Sequence, residues 1–89
     1  MARISFTANL ARYVDVSTVD IAGQTLKDIL DQLFSQHPQL KPYIVDEQGN
    51  LRKHIMLAID QELVQGDVAP YLKRTDVNRL HIMQALSGG

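Results

Sequence analysis

The clearest element of the chain, and the one that decides its fold class, is the stretch Thr25-Leu26-Lys27-Asp28-Ile29-Leu30-Asp31-Gln32-Leu33-Phe34-Ser35-Gln36. Its apolar residues recur at the three- and four-residue spacing of an amphipathic helix. Thr25 and Asp28 resemble a capping box, and Pro38 stops the pattern, so we predict a helix over Leu26–Gln36. The single apolar stripe of such a helix needs a sheet to cover.

The chain on either side of this helix has the pattern of short strands. Alternating apolar residues predict strands over residues 3–7, part of 14–21, 54–60, 63–64 and from 80 onward. A turn over residues 46–50, Asp46-Glu47-Gln48-Gly49-Asn50, indicates a small hairpin. On each long strand one set of apolar residues should face the helix, and these residues are Ile4, Phe6, Ile55, Leu57, Ile59, Leu80 and Ile82.

This order of elements predicts an α+β architecture, with one main helix on one face of a mixed sheet of four to five strands. In such a fold the first and last strands can lie side by side at the centre of the sheet, so that the chain leaves the sheet from its middle. We expect a single domain over residues 1–89, with residues 85–89 as a flexible C-terminal Gly-Gly tail.

The composition excludes several classes of function. Nine Lys and Arg residues against ten Asp and Glu give a net charge of -1, which argues against nucleic acid or an acidic membrane as partner. The absence of cysteine removes disulfides, thiolate catalysis and iron–sulfur clusters. The N-terminal residues lack the apolar core of a signal peptide, and no apolar run has membrane-spanning length, so a cytoplasmic protein is expected.

The end of the sequence, Ser87-Gly88-Gly89, carries the candidate chemistry. Glycine has no Cβ, so such a tail can pass through a channel that rejects side chains. Its only reactive group is the terminal carboxylate of Gly89, which we predict as the point of covalent attachment, while Ser87 and Gly88 serve threading. The alternative is an incidental ending, because termini often fray.

A second candidate site lies on the last strand, where alternation directs His81 and Met83 away from the helix. If the strand over 54–60 is its neighbour, Met56, His54 and Ala58 lie beside them in a semi-apolar, methionine-rich patch that suits partner docking. We therefore predict Met83, His81, Met56 and Leu86 as docking residues. The alternatives are ordinary exposed apolar surface for the patch and, for Leu86, packing on its own domain.

The sequence predicts neither a catalytic residue nor a metal site. His54 and His81 could face each other across neighbouring strands, but two histidines without a third ligand are a weak metal signal. We expect exposed histidines instead, and no bound cofactor.

Six segments together form a pattern: Ile4-Ser5-Phe6, Leu10-Ala11-Arg12, Gly23-Gln24-Thr25-Leu26-Lys27-Asp28-Ile29-Leu30, His37-Pro38-Gln39-Leu40, Asp46-Glu47-Gln48-Gly49-Asn50-Leu51-Arg52-Lys53-His54 and Ser87-Gly88-Gly89. With them the chain resembles the MoaD/ThiS family of sulfur-carrier proteins, which have the ubiquitin-like β-grasp fold. Two departures stand out. Thr75-Asp76 occurs where many members carry Gly-Asp, and Gln84-Ala85 occurs where many carry prolines.

The resemblance implies that the chain catalyses nothing itself. A ubiquitin-activating-type adenylating enzyme would use ATP to adenylate Gly89, a sulfur donor would displace the nucleotide to leave a thiocarboxylate, and a downstream sulfur-accepting enzyme would take the sulfur. In some settings the carrier would be a subunit of a sulfur-transferring synthase. Two alternatives stay open: a ubiquitin-like modifier joined to lysine through the same glycine, and a plain β-grasp interaction domain.

Overall fold

The computed structural model describes residues 2–7, 10 and 18–84. Within them lie strands β1 (Ala2–Phe6), β2 (Thr18–Ile21), β3 (Ile55–Ile59), β4 (Glu62–Gln65) and β5 (Arg79–Gln84). The main helix, α1, spans Leu26–Gln36 as predicted, and a one-turn helix, α2, spans Lys41–Ile44. Short 3-10 turns occupy Pro38–Leu40 and Ala69–Tyr71. No helix in these ranges is long and apolar enough to cross a membrane.

The described strands form one mixed five-stranded sheet in the order β2-β1-β5-β3-β4. The first and last strands, β1 and β5, pair in parallel at its centre, and the other pairs are antiparallel. With α1 on one face, this is the predicted β-grasp fold. Because β1 and β5 are parallel, they end at the same edge of the sheet. There the amide of Gln84 donates to Thr7 Oγ1 at 3.2 Å, and the amide of Thr7 donates to the Ile82 carbonyl at 3.1 Å.

The core fills the space between α1 and the sheet. Leu26, Ile29, Leu30 and Leu33 of the helix are buried, and Phe34 is partly buried against the core. All seven strand residues that were predicted to face the helix are buried in the same cluster. Gly23 lies so close to α1 that a Cβ there would stand 2.9 Å from Ile29 Cγ1, which explains a glycine just before the helix.

The start of α1 is held from two sides. Thr25 Oγ1 accepts a hydrogen bond from the Asp28 amide at 3.2 Å, which confirms the predicted N-cap. The amides of Leu26 and Lys27 donate to the carbonyls of Arg74 and Leu72, at 2.9 and 3.0 Å. The segment before β5 thus satisfies donors that a helix start leaves without intrahelical partners.

The turns differ from the predictions in detail. The turn between β3 and β4 lies at Asp60 and Gln61, whereas the predicted strands over 54–60 and 63–64 leave residues 61–62 for it; the difference arises because β4 begins at Glu62. In the segment where the chain departs from the Gly-Asp pattern, Asp76 is the residue with positive φ, 61°. Thr75 forms an isolated bridge with Thr25, so the substituted position does not need the freedom of glycine.

Candidate functional site

The face of the sheet opposite α1, here called the open face, carries side chains in three rows. Its middle row runs across all five strands, because the pairing register makes each member the neighbour of the next. In sheet order the members are Thr18, Ser5, His81, Ala58 and Leu63. Ser5, His81 and Ala58 are half-buried, as expected for side chains at the centre of a sheet.

The second row lies at the edge where β5 ends. It consists of Met83, Met56 and Gln65, with Met83 directly opposite Met56. Both methionines are partly exposed, whereas their chain neighbours Ile55 and Ile82 are buried on the helix side. These differences in burial confirm the prediction that alternation directs Met83 away from α1. We call Met56 and Met83 the methionine pair.

The third row lies at the opposite edge and is charged. Arg3 is the neighbour of Asp20 on one side and of Arg79 on the other. Arg3 Nε donates to Asp20 Oδ1 at 3.2 Å, and all three residues are exposed. The open face is therefore apolar towards the end of β5 and charged towards its beginning.

His81 has a partner that the sequence did not reveal. Its Nδ1 lies 2.6 Å from Ser5 Oγ on the parallel neighbour β1, so the hydrogen bond fixes the orientation of the ring. The register sets His81 opposite Ala58, and His54 precedes β3, so the suggestion that the two histidines face each other is wrong. In the described ranges no group of three or more His, Asp or Glu residues could hold a metal ion.

Leu63 is a member of the open face that sequence reasoning missed. It is 63% exposed, although its neighbour Val64 is buried in the core. The sequence predicted only two residues of this strand, too few to show which of the two side chains faces the core. The pairs Ala58–Leu63 and Leu57–Val64 settle it, and they extend the apolar surface onto the edge strand β4.

The predicted tail residues Leu86, Ser87, Gly88 and Gly89 lie outside the described residues, and their roles stay predictions. The position of Gln84 nevertheless bounds their reach. A chain spans at most about 3.5 Å per residue, so the carboxylate of Gly89 lies within about 18 Å of Gln84. A partner that holds this carboxylate must therefore come within about 18 Å of Gln84, the chain neighbour of Met83.

The five-stranded mixed sheet with α1 on one face is the ubiquitin-like β-grasp fold. The chain matches the ThiS family over residues 4–89 and belongs to that family. Proteins of this family are carriers that act as substrates of other enzymes. No curated protein sequence matches the chain.

Solved structures share this fold, and the matches cover 97% or more of the chain. SAMP1 from Haloferax volcanii has 27% sequence identity and a TM-score of 0.75, covering 99% of this chain and 98% of that one. A chain of the Amycolatopsis orientalis BexX/CysO complex has 26% identity and a TM-score of 0.77, with both chains covered fully, at 100%. Mycobacterium tuberculosis CysO has 17% identity and a TM-score of 0.78, covering 97% of this chain and 100% of that one.

Proposed function

We propose that the chain is a sulfur carrier that works through the carboxylate of Gly89. The observation that carries the proposal is the ThiS family match, which extends through Gly89. The topology of the sheet supports the same proposal, because β5 lies in the middle of the sheet and leads the chain towards the tail.

The carboxylate of Gly89 becomes a thiocarboxylate in two steps, both performed by partners. A carboxylate oxygen of Gly89 attacks the α-phosphate of ATP in an adenylating enzyme of the ubiquitin-activating type and releases pyrophosphate. The acyl adenylate is then attacked at its carbonyl carbon by hydrosulfide from a sulfur donor; a C–S bond forms, the C–O bond to AMP breaks, and AMP leaves. The thiocarboxylate so formed passes its sulfur to a downstream sulfur-accepting enzyme. Glycine suits both attacks, because no side chain hinders its carbonyl.

We propose the open face near the methionine pair as the surface on which the adenylating enzyme docks. The reach of the tail supports this location, because the enzyme must lie within about 18 Å of Gln84 to hold the carboxylate. The apolar chemistry of Met56, Met83 and Leu63 also fits, since methionine adapts its shape to a partner surface. His81 adds one oriented polar contact, and Leu86 would enter the groove of the enzyme with the tail. That a similar chain forms part of the BexX/CysO complex supports partner enzymes in a sulfur-carrier pathway, without naming the adenylating one.

The test uses three tail variants in an ATP–pyrophosphate exchange assay with the adenylating enzyme of the same organism. Deletion of Gly89 shortens the reach by about 3.5 Å, and misplacement by even about 1 Å can cost roughly a hundredfold in rate. One residue added after Gly89 moves the carboxylate too far along the channel of the enzyme. Gly88→Val keeps the length of the tail but places a branched side chain in that channel. We expect exchange with the wild type and nearly none with the variants. Exchange with none of the four proteins would favour the interaction-domain alternative, and equal exchange in all four would show that the enzyme does not recognise the tail.

A protein modifier is the second candidate, favoured by the similarity to small archaeal modifier protein 1 of Haloferax volcanii, at 25% identity. In that case a lysine amine rather than a sulfur donor attacks the same adenylate and forms an isopeptide bond. Immunoblots of cell extracts for this chain distinguish the two functions. Higher-mass adducts that survive reducing agent, and disappear on deletion of Gly89, indicate the modifier, whereas free chain alone indicates the carrier.

A further inference from the structure

The methionine pair concentrates most of the chain's oxidisable sulfur at one place. The chain has three methionines and no cysteine, and two of the three are Met56 and Met83. They are direct cross-strand neighbours on the open face, where Cβ atoms typically lie about 4.5–5.5 Å apart. Both side chains are partly exposed, so an oxidant of small size has access to them.

Thioether sulfur at such a position has a defined reaction with hydroperoxides. The sulfur lone pair attacks the distal peroxide oxygen, the O–O bond breaks, and an S–O bond forms. The products are a methionine sulfoxide and an alcohol, or water when the oxidant is hydrogen peroxide. Thiol-dependent methionine sulfoxide reductases reverse the change.

From this arrangement we propose that Met56 and Met83 form a reversible oxidation site that controls docking of the adenylating enzyme; this inference rests on the function proposed above. Oxidation turns an apolar, adaptable side chain into a polar one. Because the two side chains are adjacent, both sulfoxides fall within the same contact. Met83 is the chain neighbour of Gln84, from which the tail starts, so an enzyme docked on the pair lies within reach of Gly89.

The fold itself should tolerate this oxidation. The residues that flank the pair in sequence, Ile55, Leu57 and Ile82, supply the core on the other side of the sheet and are buried. The sulfoxide oxygens would meet solvent and the neighbouring side chain of Gln65 rather than the core. The expected loss is therefore one of binding and not of folding.

The experiment treats the full-length wild-type carboxylate form with hydrogen peroxide and locates sulfoxides by peptide mass spectrometry. The double variant Met56→Leu/Met83→Leu, which keeps apolar side chains but has no sulfur there, is treated in parallel. The kcat/KM of ATP–pyrophosphate exchange is then measured for each protein before and after treatment, and circular dichroism checks the fold. After both sulfoxides have formed, we expect the wild type to lose at least about tenfold in kcat/KM, equivalent to about 1.4 kcal/mol. Sulfoxide reductase should restore it.

The treated double variant should retain the rate of its own untreated form. Unchanged exchange in wild type oxidised at both positions would overturn the inference, as would an equal loss in the double variant. Lack of exchange with the untreated wild type is a different outcome. It would refute the proposed function, and the inference would fall with it.

Discussion

Replacement of Met83 by aspartate changes a side chain on the open face of β5 and none on its core face, so it tests the docking surface. Met83 points away from the core, opposite Met56, so a carboxylate there meets solvent in the free protein. Strand preferences span only about 1 kcal/mol, and we expect Met83→Asp to cost no more than about that in folding free energy. In a domain of this size such a loss lowers the Tm by about 4–8 °C.

The effect on docking should be much larger. A charge left unpaired in a desolvated interface costs about 2–5 kcal/mol, which corresponds to roughly thirtyfold to several thousandfold in affinity. The assay is titration calorimetry with the adenylating enzyme, together with thermal unfolding of the free chain. Ser35→Asp is the matched control, since it adds the same charge on the exposed side of α1.

Either of two results would refute this reasoning. A Met83→Asp protein that fails to fold would show that the faces of β5 are reversed, because a one-residue slip turns every side chain of a strand to the other face. A folded variant that binds as tightly as the Ser35→Asp control would show that the enzyme docks elsewhere.

Three further predictions concern the scaffold and are read out by calorimetric or denaturant unfolding. Leu33→Ala, at a fully buried position with 0% exposure, should lower the free energy of unfolding by about 3–5 kcal/mol. Leu30→Ala, at 5% exposure beside a surface groove, should lower it by about 2–3 kcal/mol. A loss below about half a kilocalorie at either position would contradict the packing of α1 on the sheet. Thr25→Ala removes the N-cap and should cost about 1 kcal/mol, whereas no change would mean that the backbone contacts from residues 72 and 74 suffice. Asp60→Ala removes the acceptor of two backbone amides and should lower the free energy of unfolding by about 1–3 kcal/mol. Asp60→Gly should destabilise less, because glycine adopts the φ of 54° at this position without strain. Equal losses of stability in the two variants would rule out a contribution from backbone strain.

Much of this fold could be predicted because two simple periods govern it. The helical spacing of Leu26, Ile29 and Leu33 placed α1 correctly, and alternation along β5 separated Leu80 and Ile82 from His81 and Met83. Each period reports which face of an element is apolar. Which face of an element is apolar depends only on residues that are close together in the sequence, so the sequence alone can show it.

The pairing between strands could not be derived in the same way. Alternation states that His81 and His54 belong to one face, but the register that sets His81 opposite Ala58 depends on where β3 begins and how its turn with β4 is built. The bond between Ser5 and His81 joins residues 76 positions apart, across a parallel pair that only the complete sheet creates. Leu63 was missed for a related reason, because a strand recognised from two residues has no measurable alternation.

The central claim is that Gly89 is converted into a thiocarboxylate, and the mass of the intact protein tests it most directly. The purified chain is incubated with ATP, the adenylating enzyme and a sulfide donor, and is then measured by high-resolution mass spectrometry with fragmentation. The proposed function predicts one sulfur atom in place of one oxygen, located at Gly89 and absent when ATP is omitted. An unchanged mass in the presence of an active enzyme, or sulfur located at any other residue, would contradict it.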